Sequence, residues 1–215
     1  MPTLLLRLQG PMQSWGTTSR FDERDTQLEP SKSGVLGLIC AALGRDRSES
    51  VDDLAALQMG VREDREGVVL RDYQTATGIV NAAGKVDMKR TVVSPRYYLS
   101  DAAFLVGFEG ERALLDQIHQ ALKTPHWPLS LGRKGCLPSP PVYLPDGVRD
   151  SVLLEALRDY PELIKGAGLQ VRRLLLEATE GTVRLDQPIA PFADRRFGPR
   201  FVLTEQLEPE EVSCP

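Results

Sequence analysis

Residues 34–43, Gly-Val-Leu-Gly-Leu-Ile-Cys-Ala-Ala-Leu, constrain the fold more than any other stretch of the chain. Val35, Leu36, Leu38, Ile39, Ala41, Ala42 and Leu43 put apolar groups nearly all round a helix, Ser31 or Ser33 can cap its start, and Gly44 stops it. A helix without a polar face has to be buried, so other elements must cover it. With 215 residues, 41% of them hydrophobic, the chain has enough apolar material for such a core, as one large domain or two small ones.

The covering elements follow from the hydrophobic period. Residues 3–9 alternate, with Leu4, Leu6 and Leu8 on a core face and Thr3, Leu5, Arg7 and Gln9 on a part-polar one, which predicts a strand. After Gly10-Pro11, residues 13–32 follow neither regular period and read as a long loop. Ser50-Val51-Asp52-Asp53 opens a short second helix through Leu57, and residues 60–70 read as a hairpin through Arg65-Glu66-Gly67. Residues 72–95 show no amphipathic period and are expected as an exposed excursion. A strand resumes over 97–108, and residues 111–123 form a helix on Leu115, Ile118 and Leu122. Prolines at 125, 128, 138, 140 and 141 then leave room for sheet only at 136–137 and 142–144.

The order strand, helix, strand pair, strand, helix, strand suits an α+β fold, a ferredoxin-like (RRM-like) split β-α-β sandwich over residues 1–145. A polar turn at Pro145-Asp146-Gly147 opens a small C-terminal part, 146–215, with a helix near 150–159 and strands near 169–178, 182–186 and 200–204.

Charge excludes several classes of function. The net charge of −4 does not suit a protein that coats nucleic acid by bulk charge. Glu205, Glu208, Glu210 and Glu211 crowd the last fifteen residues, and the rest of the chain balances 26 bases against 26 acids. Residues 71–100 carry Arg71, Lys85, Lys89, Arg90 and Arg96 against Asp72 and Asp87, so a polyanion site would be local. No run approaches the roughly 18 apolar residues of a membrane span, and Leu4-Leu5-Leu6 is broken by Arg7 without a cleavage-like site. A cytoplasmic protein with no membrane partner is expected.

The catalytic inventory is thin. Cys40, Cys136 and Cys214 are far apart, without a C-x-x-C pair, and indicate neither disulfides nor zinc. His119 lies beside the apolar stripe of its helix and reads as structural. His126, in a proline-flanked loop, could serve as a general acid or base by its ordinary pKa but reads far more readily as a plain loop histidine. No nucleophile-elbow, zincin or P-loop motif occurs, because Ser31-Lys32-Ser33-Gly34 lacks the upstream glycine. No catalytic residue, metal or cofactor is expected.

Binding features are better. Lys32 and the unpaired N–H groups at the start of the 34–43 helix suit a phosphate, although a serine cap would use the same groups. Gly132-Arg133-Lys134-Gly135 sets two bases between two glycines, which suits phosphate approach and a plain surface turn alike. Trp15, Phe21, Tyr97 and Tyr98 lie in or beside basic stretches, where they serve either as core or as stacking platforms for single-stranded bases.

Four ordered segments carry a resemblance over most of the chain: 6–16 (Leu-Arg-Leu-Gln-Gly-Pro-Met-Gln-Ser-Trp-Gly), 30–38 (Pro-Ser-Lys-Ser-Gly-Val-Leu-Gly-Leu), 70–75 (Leu-Arg-Asp-Tyr-Gln-Thr) and 131–136 (Leu-Gly-Arg-Lys-Gly-Cys). Together they resemble the CasD subunits of Cascade, the type I-E CRISPR surveillance complex, within the repeat-associated RNA-binding superfamily. The resemblance implies a ferredoxin-like palm with a protruding thumb hairpin at about 72–95. It also implies a non-catalytic role in antiviral defence, binding and capping the 5′ handle of the crRNA.

By that likeness, RNA contact is carried to Gln13, Trp15, Ser31, Lys32, Ser33, Lys89, Arg90, Arg96, Tyr98, Arg133 and Lys134. Implied partners are the crRNA, the backbone and large subunits of Cascade, and target DNA through the complex. The alternative is a metal-independent endoribonuclease that processes the repeat RNA, with Tyr97 or Tyr98, Lys134 and His126 in the catalytic parts.

Overall fold

Both faces of the first strand are buried. Leu4, Leu6 and Leu8 have no exposure, as expected of a core face, but Leu5 on the opposite face is also only 1% exposed. The computed structural model, which describes residues 1–16, 23–80, 83–164 and 172–207, shows why. The strand β1 (Thr3–Gln9) lies inside a sheet with helices on both sides. Phe21, Glu208, Glu210, Glu211 and Cys214 lie outside the described residues.

After β1 come a short β2 (Met12–Gln13), helix α1 (Lys32–Leu43) and a single turn α2 (Asp52–Ala55), whose Asp52 N–H donates to Ser50 Oγ at 3.2 Å. The strands β3 (Gln58–Arg65), β4 (Val68–Val80), β5 (Val86–Ser100) and β6 (Ala103–Glu109) lead to helix α3 (Arg112–Lys123). A two-residue β7 (Val148–Arg149), helix α4 (Leu153–Asp159), β8 (Arg172–Ala178), β9 (Thr182–Pro188) and β10 (Phe197–Leu207) complete the order. The fold is mixed α/β, with mostly antiparallel sheets and few helices.

The seven-stranded sheet has the order β7-β1-β6-β3-β8-β10-β9. On one face, Leu4, Leu6 and Leu8 pack with Val35, Leu36 and Ile39 of α1 and with Leu115 and Ile118 of α3. On the other, Leu5 and Leu105 meet Leu153 and Leu157 of α4 and Leu174 of β8. Each fully buried leucine contributes about 1.5–3 kcal/mol, so the face expected to be part-polar is a second core. The described strands after residue 146 extend this same sheet, since β8 pairs with β3 from Gly60↔Leu176 to Arg62↔Leu174 and β10 and β9 continue outward.

Two local expectations are corrected. Arg65-Glu66-Gly67 is not a hairpin turn, because β3 belongs to the large sheet and β4 to a separate sheet of order β2-β5-β4. Gly67, at φ 78°, lets the chain change sheets where a Cβ would stand 2.7 Å from that of Ala102. The segments 136–137 and 142–144 are not strands either, since Pro138, Pro140 and Pro141 lack the donors a ladder needs. Their neighbourhood still covers the edge of β1, with Arg7 N–H donating to Val142 O at 3.0 Å and Ser139 N–H to Gln9 O at 2.8 Å.

The excursion is a long antiparallel hairpin, β4 paired with β5 from Val68↔Ser100 to Val80↔Val86. Tyr73, Val80, Val86 and Met88 are exposed on it. Its strands show no alternation because neither face of the outer hairpin is covered. Among the described residues no helix is long and apolar enough to cross a membrane.

Candidate nucleic-acid interface

The site is built on the residues that follow β1. Gln13 is fully buried and all its side-chain groups are used: Nε2 donates to Leu8 O at 3.1 Å and Ala102 O at 2.8 Å, and Oε1 accepts from Trp15 Nε1 at 3.0 Å. Trp15 is thereby fixed at 1% exposure, its ring against Gly34 of α1. These two residues hold the floor of the site, with no edge left for a base to stack on.

Three further segments converge there. Ser14 N–H donates to Leu131 O at 3.1 Å, Trp15 N–H to Thr26 Oγ1 at 2.9 Å, and Tyr97 N–H to Arg24 O at 2.9 Å. The loop 131–136 closes on itself, with Leu131 N–H donating to Cys136 O at 2.7 Å and Cys136 N–H to Arg133 O at 2.8 Å. Gly132 sits at φ 85°, and a Cβ there would collide with the Ser14 carbonyl oxygen, so this close approach requires glycine.

Between these segments opens a cleft of about 470 Å³. Ser14, Trp15, Ser31, Gly34 and Gly132 form its floor and sides, and three arginines, Arg24, Arg96 and Arg133, stand round it with no acidic side chain among the described lining residues. Arg133 is held in place by donating from Nη2 to Arg24 O at 2.7 Å and Asp25 O at 3.1 Å, with its guanidinium 4.8 Å from the centre of the Tyr98 ring. Its Nη1, and Nε of Arg96, are buried and have no hydrogen-bond partner among the described residues. A buried donor on a charged group without an acceptor costs about 1–3 kcal/mol, and an anionic oxygen in the cleft would remove that cost through a charge-assisted bond.

The other side of the α1 start is different. Lys32 is 1% exposed, and its Nζ donates to Glu177 at 2.9 and 3.0 Å and to Ala55 O at 3.0 Å. Burial lowers its pKa, opposed by the Glu177 charge. Its backbone N–H donates to Asp186 Oδ2 at 2.7 Å, and Asp186 is in turn held by Arg200 at 2.6 and 3.0 Å. An internal carboxylate therefore stands at the positive end of the helix dipole, and Ser31 makes no side-chain cap bond.

Of the expected site residues, the cleft brings together Trp15, Ser31, Arg96 and Arg133, with Tyr98 stacked behind and Gln13 beneath. Ser33 and Lys134 line a second groove that runs along α1. The Lys32 ammonium points into the protein, and Lys89 and Arg90 are exposed on the outer half of β5, about 20 Å along the strand from Arg96. Arg24, Ser14 and Gly34 were not singled out for binding. Arg24 carried a signal only as a base in the irregular stretch 13–32.

His119 stacks on Tyr143 at 4.6 Å and bonds through Nε2 with Leu144 O at 2.9 Å, as a structural histidine would. His126 sits at the far end of α1, its N–H donating to Ala42 O at 3.0 Å and its ring against Gly44, about 15 Å of helix from Gly34. The structure does not bring it together with Tyr97 or Tyr98 at the cleft. Among the described residues no cluster of three His, Cys, Asp or Glu side chains is placed to ligate a metal.

Residues 3–203 match the family described as CRISPR-associated protein (Cas_Cas5). The chain is similar to the CRISPR system Cascade subunit CasD of Escherichia coli (strain K12), at 34% identity over 155 residues, or 66% of this chain and 69% of that one. Among solved structures it is similar to a Cas protein at 57% identity and a TM-score of 0.82, covering 97% of this chain and 96% of the other. It is also similar to a chain of a CRISPR RNA-guided surveillance complex, at 35% identity and a TM-score of 0.79, covering 96% and 90%.

Proposed function

The chain belongs to the Cas5 family of CRISPR-associated proteins, and from that premise we propose that it is a non-catalytic subunit of the Cascade complex that binds and caps the 5′ handle of the crRNA in antiviral defence. The observation that carries this reading is the arginine cleft, where two buried guanidinium nitrogens lack acceptors and no acid competes for them among the described lining residues. Phosphate oxygens of a single strand supply such acceptors. A protein of net charge −4 needs no more than this local concentration of charge.

The palm is ferredoxin-like in this reading. The order β7-β1-β6-β3 with α1 and α3 on one face is that of a split β-α-β sandwich, with β7 reduced to two residues, and β8, β10 and β9 are an addition to its edge. The β4–β5 hairpin is the thumb, and its exposed Lys89 and Arg90 meet the RNA away from the cleft. The backbone and large subunits of Cascade are its protein partners, target DNA is reached through the complex, and the work is cytoplasmic.

The test is to incubate the purified chain with repeat-containing RNA in EDTA. Protection of the 5′ segment from an added nuclease, with the RNA itself left whole, is expected. Site-specific cleavage that disappears in His126→Ala would replace the capping role by that of an endoribonuclease.

A further inference from the structure

The second groove shares Gly34 and Gly132 with the arginine cleft and runs from there along α1 to Arg45. It encloses about 450 Å³. Its floor is Gly34, Gly37, Leu38 and Ala41, small residues that bring the helix backbone close to the surface, and the position a Gly37 side chain would fill is open space. Trp127, Lys134, Phe197 and Arg47 line it as well. Trp127 is 42% exposed and Phe197 38%, and the backbone at Trp127 is tied to α1, its main-chain N–H donating to Ala41 O at 3.0 Å.

The chemistry is that of a polyanion track with stacking faces. Three bases line the groove against one acid, Asp46, whose Oδ1 is already engaged by Ser48 at 2.9 and 2.7 Å. Arg45 is paired with Asp53 at 2.6 Å, which leaves Lys134 and Arg47 as the nearest charges for a ligand. The exposed apolar groups are flat rings rather than aliphatic side chains, since Leu38 is 4% exposed. Nucleobases use such rings with little regard to sequence, and basic side chains beside the rings suit the phosphates that come with them.

Resting on the RNA reading of the cleft, we propose that single-stranded RNA continues out of it along α1, stacking on Trp127 and Phe197 while its phosphates meet Lys134 and Arg47. The twelve residues of α1 span about 18 Å, and a strand stacked at about 3.4 Å per nucleotide would place about five nucleotides there.

The test compares a short oligoribonucleotide that fills only the cleft with one about five nucleotides longer. The longer RNA should bind the full-length protein about tenfold more tightly and quench Trp127 emission, Trp15 being buried. Trp127→Ala should abolish that gain and leave binding of the short RNA unchanged, Trp127→Phe should restore it, and the exposed Lys134→Glu should weaken the longer RNA more than the short one. Equal affinity for the two lengths, or a gain that survives Trp127→Ala, overturns the track while the cleft stands. A Trp127→Ala variant that loses a sibling subunit but keeps the length effect makes the groove a protein site and also overturns it. Failure of either RNA to bind overturns the reading of the cleft together with the track.

Discussion

The two sides of the α1 N-terminus both hold basic residues, and they use the charge in opposite ways. On the side of β8, β9 and β10, Lys32 and Arg200 are buried and matched to Glu177 and Asp186, so the cations join the C-terminal strands to the helix. On the side of the 131–136 loop, Arg96 and Arg133 line an open cleft, and each keeps a buried nitrogen without a partner among the described residues. The difference lies in the neighbours, not in the cations. A carboxylate within bonding distance makes a base structural, and its absence leaves the base available to a ligand.

The sharpest way to break this comparison is Lys32→Ala. Removing one partner of a buried pair strands the other, and a loss of about 3 kcal/mol in urea unfolding is expected. The double change Lys32→Met with Glu177→Leu should recover most of it. A Lys32→Ala variant of normal stability that no longer binds RNA would make Lys32 a ligand and erase the distinction.

The next effect comes from the backbone that shapes the open side. Gly132→Ala forces a side chain to positive φ against the Ser14 carbonyl, so a loss of about 2 kcal/mol and a distorted cleft with weaker RNA binding are expected. The smallest is its control. Gly135 has open space at its Cβ position, and Gly135→Ala should stay within about 0.5 kcal/mol of wild type by the same unfolding measurement.

The comparison also explains what was legible in the sequence. The unbroken apolar run of α1 and the apolar stripe of α3 identify themselves because both signals are local, and Arg133-Lys134 stands out because two glycines bracket it. Lys32 sits in a motif that looks like a phosphate site, yet the residues that claim it, Glu177 and Asp186, follow about 150 positions later, and no local pattern announces them. Leu5 reads as part-polar for the same reason, since α4 and β8 cover it from the far end of the chain. Apart from the family resemblance, the hairpin shows in the sequence only as missing amphipathicity, because strands that bury neither face carry no alternation to read.

The most direct test is the salt dependence of crRNA 5′-handle binding by wild type and by the double variant Arg96→Ala with Arg133→Ala, each first shown to be folded by urea unfolding. At about 0.7 per phosphate contact on a single strand, the account predicts weaker binding and a plot of log K against log salt shallower by about 1.4 in the double variant. A folded double variant with unchanged affinity and slope would contradict it.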